Sequence, residues 1–310
     1  MPRALVTGGA GFIGSHVADL YLEHGYDVTV LDNFASGRRE NVPASARLAE
    51  LDLTSAEARE LVANGRFDVV SHLGAQIDVR KSVADPMYDA SINVVGTLNL
   101  LEGVRASGHA TRFIFSSTGG ALYGDFVTPP NVEDFPKDPE SPYGIAKLSA
   151  ELYLAYYARV HKIDTVSLRY ANVYGPRQDP HGEAGVVAIF CNRILTRQPL
   201  TVFGDGSQTR SFQYITDLID GVWRLMQTAT NDPVNIGNPQ EMTLLALAER
   251  VIALTGSRSP IIFRPLPEDD PKVRQPDISR ARAILGWEPR VDTDEGLRRT
   301  LQWFRDKIHG

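Results

Sequence analysis

The chain holds one cysteine, Cys191, in 310 residues. An internal disulfide is therefore excluded, and a reducing compartment is expected. Its seven histidines, His16, His24, His72, His109, His161, His181 and His309, are scattered. None stands at metal-ligand spacing from another histidine or from the cysteine, so no metal is expected. No apolar run approaches the length of a membrane span. Basic residues are outnumbered, 32 Lys and Arg against 38 Asp and Glu, which argues against nucleic acid as the main partner. The first residues, Met1 to Thr7, run straight into a predicted strand, so no signal peptide is expected. Disorder and fibre are excluded by 43% apolar and 23% charged residues. These absences lead us to expect a soluble, cytoplasmic protein of one large domain or two modest ones.

Glycine is placed with more pattern. A short apolar run, Arg3 to Thr7, leads into Gly8-Gly9-Ala10-Gly11-Phe12-Ile13-Gly14 and then a helical pattern from Ser15 to Leu22. Glycines at 8, 11 and 14 let the chain turn tightly and let a pyrophosphate approach backbone N–H groups at a helix N-terminus. The spacing is G-x-x-G-x-x-G rather than the tighter G-x-G-x-x-G. A second predicted strand, Asp27 to Leu31, runs into Asp32, eighteen residues beyond Gly14. A carboxylate there accepts both ribose hydroxyls of an adenosine and repels a 2′-phosphate. NAD is therefore expected in preference to NADP, although Arg38 and Arg39 downstream are groups that a 2′-phosphate would use.

A strand–helix rhythm follows. Strands are predicted at Leu48 to Leu51, Phe67 to Leu73, Arg112 to Ser116 and Thr165 to Tyr170. Helical patterns cover Ala56 to Ala63 and Pro86 to Arg105, the second holding Asn93. This alternation implies a doubly wound parallel sheet, of α/β class. Ligands of such sheets sit at the carboxyl ends of the strands. The predicted strand tips, Thr7-Gly8, Asp32-Asn33, Gly74-Ala75-Gln76 and Ser116-Ser117-Thr118, should line one crevice.

One pair suits acid–base chemistry there. Tyr143 and Lys147 stand four apart at the head of a periodic run ending near Val160, on one helical face. An ammonium beside a phenol favours the phenolate. A hydroxyl at the Ser116-Ser117-Thr118 tip would hydrogen-bond a substrate oxygen and the phenol; the same residues also read as a simple ST-turn.

Beyond Tyr170 the composition changes. Loops rich in Pro, Gly, Asp and Arg alternate with short strands at Leu200 to Phe203, Ser211 to Tyr214, Val234 to Ile236 and Ile261 to Arg264. Amphipathic helices are predicted at Val186 to Thr196, Thr216 to Met226, Leu244 to Leu254 and Glu295 to Lys307. Arg177, Arg210 and Arg274 lie in or beside these loops. They read either as solvated residues or as a clamp on phosphate or carboxylate.

Together these residues resemble the extended short-chain dehydrogenase/reductase family that acts on nucleotide sugars. The resemblance rests on Thr-Gly-Gly-Ala-Gly-Phe-Ile-Gly, Asp32-Asn33-Phe34, the Ser-Ser-Thr tip, Tyr-x-x-x-Lys, Leu168-Arg169-Tyr170-Ala171-Asn172 and Leu285-Gly286-Trp287-Glu288-Pro289. It covers nearly the whole chain. The first two-thirds look most like bacterial UDP-glucose 4-epimerases. Gly204 to Tyr214 and Leu266 to Ile278 look more like UDP-glucuronate decarboxylases. Those decarboxylases carry a Glu just after the Ser/Thr tip as acid/base at C5, whereas this chain has Gly119-Gly120.

The family implies a Rossmann domain over residues 1–172, including the Tyr/Lys helix, and a smaller mixed α/β substrate-binding lobe over 173–310. Some strands and helices of that lobe return to the first domain. It implies NAD held by Gly8, Gly11, Phe12, Ile13, Gly14, Asp32, Asn33, Phe34, Ser36, Gly37, Asp52, Leu53, Leu73, Gly74, Ala75, Gln76, Asn93, Ser116, Tyr143, Lys147 and Tyr170. A UDP-sugar would meet Val79, Thr118, Tyr143, Asn172, Val186, Thr201, Phe203, Arg210 and Arg274. Thr118, Tyr143 and Lys147 would form the catalytic set, in a homodimer joined through the Pro86–Arg105 and Tyr143–Val160 helices. The reaction implied is 4-epimerisation of UDP-glucose. Alternatives are 4-epimerisation of UDP-glucuronate or UDP-xylose, decarboxylation of UDP-glucuronate, and a non-catalytic NAD(H) sensor. Arg274 leaves the sugar open, since it matches an arginine near the sugar carboxylate of the decarboxylases.

Overall fold

Continuous apolar runs form strands buried on both faces, and Ala4, Leu5, Val6, Val28, Val30, Val69, Val70 and Phe113 are fully buried. A computed structural model describes residues 1–124, 127–170, 172–181, 185–265 and 275–309, without the His309 side chain. The chain runs β1 (Arg3–Thr7), α1 (Phe12–Glu23), β2 (Asp27–Asp32), β3 (Arg47–Glu50), α2 (Ala56–Gly65), β4 (Val69–His72), α3 (Val79–Ala84) and α4 (Pro86–Ala90). A π-helical turn at Ser91–Val95 leads into α5 (Gly96–Ser107), β5 (Arg112–Thr118), α6 (Pro142–His161) and β6 (Asp164–Tyr170).

After these come β7 (Val173–Tyr174), α7 (Val186–Leu195), β8 (Leu200–Phe203), β9 (Thr209–Ser211), β10 (Gln213–Tyr214) and α8 (Ile215–Met226). The chain closes with β11 (Val234–Asn235), β12 (Glu241–Thr243), α9 (Leu244–Thr255), β13 (Ile261–Arg264), α10 (Ser279–Leu285) and α11 (Thr293–His309).

Seven strands form one sheet in the order β11-β6-β5-β4-β1-β2-β3, with parallel pairing from β6 through to β3. The expected doubly wound sheet is present. The chain divides into two compact units: Met1–Gly124, Phe135–Tyr170 and Val222–Val234 form one, and Asp125–Asp134, Ala171–Gly221 and Asn235–Gly310 the other. In the first, Leu100, Leu101, Val62 and Phe67 pack with Phe113, Leu154 and Tyr157. Gly103 allows the close approach of α5 to α2, since a Cβ there would fall 2.8 Å from the Arg59 carbonyl oxygen. In the second, Trp287 is fully buried and its indole N–H donates to the Asp217 carbonyl at 2.9 Å.

Two elements differ from expectation. The helix predicted over Pro86 to Arg105 is interrupted by the π turn, a local widening that periodicity does not reveal. The strand predicted at Ser211 to Tyr214 is two strands with different partners, because β9 pairs antiparallel with β12 and β10 pairs parallel with β7. Among the described residues, no helix is long and apolar enough to cross a membrane.

Candidate active site

Thr7 and His72 end β1 and β4 side by side, and the strand order changes direction between those strands. The crevice at such a switch point is where doubly wound sheets bind ligands. Gly8 has a left-handed φ of 66°. A Cβ on it would fall 2.7 Å from the Gly74 nitrogen, and one on Gly14 would fall 2.1 Å from the Gly8 carbonyl oxygen. The turn therefore lies against Gly74, and α1 begins directly above it. Gly11 caps α1 without a side-chain acceptor, which leaves the first-turn N–H groups of Phe12, Ile13 and Gly14 to an anion.

Asp32 is positioned before any ligand arrives. Its carboxylate accepts from Ala10 N–H at 3.0 Å and Phe34 N–H at 2.8 Å. A Cβ on Gly37 would fall 2.8 Å and 2.9 Å from the two Asp32 oxygens, so the Ser36-Gly37 backbone closes over that carboxylate. Asn33 Nδ2 donates to Asp52 at 2.9 Å, and Thr54 donates to the other Asp52 oxygen at 2.8 Å and 2.6 Å. Partial burial pushes the Asp52 carboxyl up, but the Thr54 and Asn33 bonds outweigh it and hold it below its ordinary range. Arg39, the feature that spoke for NADP, pairs with Glu50 and lies 4.3 Å over the Phe34 ring. Leu53 touches the positions where Gly74 and Gly96 would carry a Cβ.

The β4 tip is clamped from behind. Leu73 N–H donates to the Thr7 carbonyl at 3.2 Å, and Gly74 N–H donates to the Thr7 hydroxyl at 3.1 Å. After Ala75, Gln76 exchanges two bonds with the Asn93 amide, at 3.0 Å and 2.9 Å. Both side-chain amides also donate to Asp89 Oδ1, at 2.8 Å and 3.0 Å. Asn93 thus anchors the loop, and the π turn presents it.

Ser141 caps α6 by accepting from Gly144 N–H at 3.1 Å, with Pro142 in the first turn. Tyr143 follows at once, its N–H bonded to the Ser82 hydroxyl at 3.2 Å. One turn on, the buried Lys147 donates to the Ser116 carbonyl at 2.9 Å. Its ammonium lies 4.8 Å from the Phe115 ring centroid and 5.8 Å from that of Tyr143. Burial pulls that ammonium down to about 8, opposed by Asp89 and then Glu151. Ser116 and Tyr170 share a hydroxyl–hydroxyl bond, and burial pushes the Tyr170 phenol up to about 12. Thr118 Oγ1 accepts from Gly120 N–H at 3.1 Å, the ST-turn geometry, which leaves its hydroxyl hydrogen able to donate. A Cβ on Gly119 would meet nothing closer than 3.8 Å.

Sequence reasoning missed the support beneath this tip. Buried Arg169 donates to both Glu151 oxygens, at 2.9 Å and 2.5 Å, and to the Tyr123 hydroxyl at 2.9 Å. Ser117 donates to Glu151 at 2.5 Å. Glu151 follows Lys147 by four residues and so shares its helical face, the one signal that pointed to it. His72 was also missed. It joins the Thr7 and Thr97 hydroxyls at 2.7 Å and 2.9 Å, and burial, then Lys147, drives it down to about 3, so it stays neutral. Val79 is the first residue of α3, capped by Asp78.

In the second unit, Asn172 has a left-handed φ of 50°, and its buried Nδ2 donor has no partner among the described residues. Val186 opens α7, which Gly185 caps without a side chain. Thr201 and Phe203 lie on β8, and Phe203 is 43% exposed. Arg210 is buried on β9 and donates to the Thr209 carbonyl at 2.7 Å. Arg274 lies outside the described residues.

The chain is similar in sequence and fold to known proteins. The family model described as "NAD dependent epimerase/dehydratase family" matches residues 4–237. A UDP-glucose 4-epimerase from Mycolicibacterium smegmatis is 39% identical over 98% of this chain and 99% of its own length. UDP-glucuronic acid decarboxylase 1 of Danio rerio is 37% identical over 99% of this chain and 73% of its own. The Thermotoga maritima UDP-glucose 4-epimerase, solved with UDP-glucose, superposes with a TM-score of 0.96 at 43% identity, covering 99% of this chain and 100% of that one. A Bacillus cereus UDP-glucuronic acid 4-epimerase, solved with UDP-glucuronic acid and NAD, gives a TM-score of 0.89 at 31% identity over 98% and 99%.

Proposed function

Because the chain belongs to the NAD-dependent epimerase/dehydratase family, we propose that it is a UDP-glucose 4-epimerase, interconverting UDP-glucose and UDP-galactose through a 4-keto sugar. The observation that carries this reading is the Tyr143–Lys147 pair at the β5 tip, followed by Gly119-Gly120 where a C5 base would need a carboxylate. The glycine cradle over Gly74 and the preset Asp32 carboxylate fit a dinucleotide. NAD, when bound, takes up and returns the C4 hydride, so net redox change is zero.

Tyr143 takes the proton of the C4 hydroxyl as phenolate and later gives it back, general acid–base work of the kind one positioned side chain performs. Lys147 stabilises that phenolate by its charge and binds the nicotinamide ribose. Thr118 donates to the sugar oxygen while its own oxygen stays in the turn. Asn172, whose buried donor has no partner among the described residues, and Arg210 hold the UDP part, with Val186, Thr201 and Phe203 against it. The keto sugar turns over about its phosphate linkage and is reduced on its other face. The same reading takes the protein as a cytoplasmic homodimer. Ile145, Leu152, Tyr153, Tyr156 and Val160 support it, exposing an apolar stripe along α6.

A second reading, 4-epimerisation of UDP-glucuronate or UDP-xylose, is favoured by Arg274 within the decarboxylase-like run Leu266 to Ile278. Incubation with UDP-glucose, UDP-N-acetylglucosamine, UDP-glucuronate and UDP-xylose, read by NMR, separates the readings. UDP-galactose should form from UDP-glucose, and Tyr143→Phe should cut the rate by about 10²–10⁴-fold. Turnover of another sugar alone would refute the glucose assignment, and near wild-type rates in Tyr143→Phe would refute the acid/base assignment.

A further inference from the structure

We propose that Ser82 is a positioning residue for Tyr143: its buried hydroxyl ties the first turn of α6 to α3 and so fixes where the phenol stands. The proposal rests on the catalytic reading of Tyr143 and assigns a part to a residue outside the expected site. Ser82 lies on α3 and is fully buried. Its oxygen accepts from Tyr143 N–H at 3.2 Å, while its hydrogen goes to the Val79 carbonyl at 2.6 Å. Donation to Val79 leaves a lone pair for Tyr143, so both roles of the hydroxyl are filled at once.

The first N–H groups of a helix have no partner within it. At the start of α6, Pro142 has no N–H, and Ser141 Oγ takes that of Gly144. The intrahelical ladder begins with Ile145 N–H on the Ser141 carbonyl at 2.9 Å. Tyr143 N–H is therefore the first-turn donor that the cap leaves over, and Ser82 takes it from another element. The same turn lies against the loop after β5, since a Cβ on Gly144 would fall 2.3 Å from the Ala121 carbonyl oxygen. The residue that carries the phenol is thus held by its own backbone. α3 is tied in turn to the loop after β4. Ser82 N–H donates to the Asp78 carbonyl at 2.9 Å, and Asp78 caps α3 by accepting from Lys81 N–H at 3.0 Å. The Asp78 N–H and carbonyl both bond to the Gln76 side-chain amide, at 2.7 Å and 2.9 Å. Gln76 is among the residues expected at NAD. A run of hydrogen bonds therefore joins the cofactor loop to the Tyr143 backbone, and Ser82 is its last link. A misplacement of about 1 Å through such a link costs about 10²-fold in rate.

The test is steady-state kinetics of the NAD-loaded protein with UDP-glucose. Ser82→Ala removes the acceptor and adds no bulk. Its kcat should fall about ten- to hundredfold, with KM within about twofold of wild type and NAD retained. Ser82→Thr, which keeps the hydroxyl, should recover most of kcat. A merely structural role would lower the unfolding midpoint of Ser82→Ala and leave kcat unchanged at lower temperature, which would overturn the proposal. A Ser82→Thr variant with the wild-type midpoint but the alanine variant's rate would overturn it too. If the wild-type protein turns over no UDP-sugar, the epimerase reading fails by itself. The Tyr143 phenolate is then titrated by ultraviolet absorbance, with Tyr143→Phe as the blank. A titration midpoint displaced in Ser82→Ala and restored in Ser82→Thr supports the positioning role, and an unmoved one overturns it.

Discussion

Arg169 offers the sharpest test of how the β5 tip is held. Arg169 is 3% exposed and Glu151 8%. Their two bonds, with those from Arg169 to Tyr123 and from Ser117 to Glu151, satisfy a charge pair with little water at hand. Replacing such a pair by apolar residues is often neutral, but removing one partner strands the other, at a cost of about 3–5 kcal/mol. Arg169→Leu should therefore lower the thermal midpoint by about 6–20 °C, at about 2–4 °C per kcal/mol for a unit of this size. Urea and thermal unfolding, with the Glu151→Leu, Arg169→Leu double variant alongside, measure the cost. A cost below about 1 kcal/mol, or a double variant no more stable than Arg169→Leu, would refute the argument, because the pair would then behave like a solvated one.

Two further substitutions examine the glycines. In Gly14→Ala the new methyl would fall 2.1 Å from the Gly8 carbonyl oxygen, a backbone atom. The turn must open, at a cost of about 1–3 kcal/mol, and the purified protein should lose bound NAD; full NAD content with an unchanged unfolding midpoint would contradict this. Gly119→Glu is the reverse case. Its Cβ contacts begin at 3.8 Å, so stability should shift by no more than about 0.5 kcal/mol, and solvent deuterium should enter C5 of the recovered sugar. A large stability loss would show that the backbone itself needs glycine there, and no C5 label in a folded, active variant would show that the added carboxylate does not reach the sugar.

How far the sequence carried depends on the range of each interaction. The glycine turn, Asp32 and the Tyr143–Lys147 pair are local patterns, set by spacings that one strand, one turn or one helix imposes. They were legible because Gly8 and Gly14 meet within their own turn, and because Ser141 and Pro142 start α6 immediately before Tyr143. Thr118 was legible only by its position. Its hydrogen bond is the ordinary ST-turn, and what singles it out is standing at the end of the strand whose carbonyl receives Lys147. Asp89 and Asn93 were less legible, since they act through Gln76 in the loop after β4, distant in sequence. A helical pattern over Pro86 to Arg105 shows an amphipathic face, but a π turn adds a residue to one turn and re-aims the side chains that follow. Periodicity at 3.6 residues therefore assigns Asn93 the wrong neighbours. The missed support follows one rule. A polar side chain that bonds within its own turn announces itself by spacing, whereas one that bonds across elements looks like any solvated residue until the elements are packed. Asp89, Glu151 and Arg169 are of the second kind.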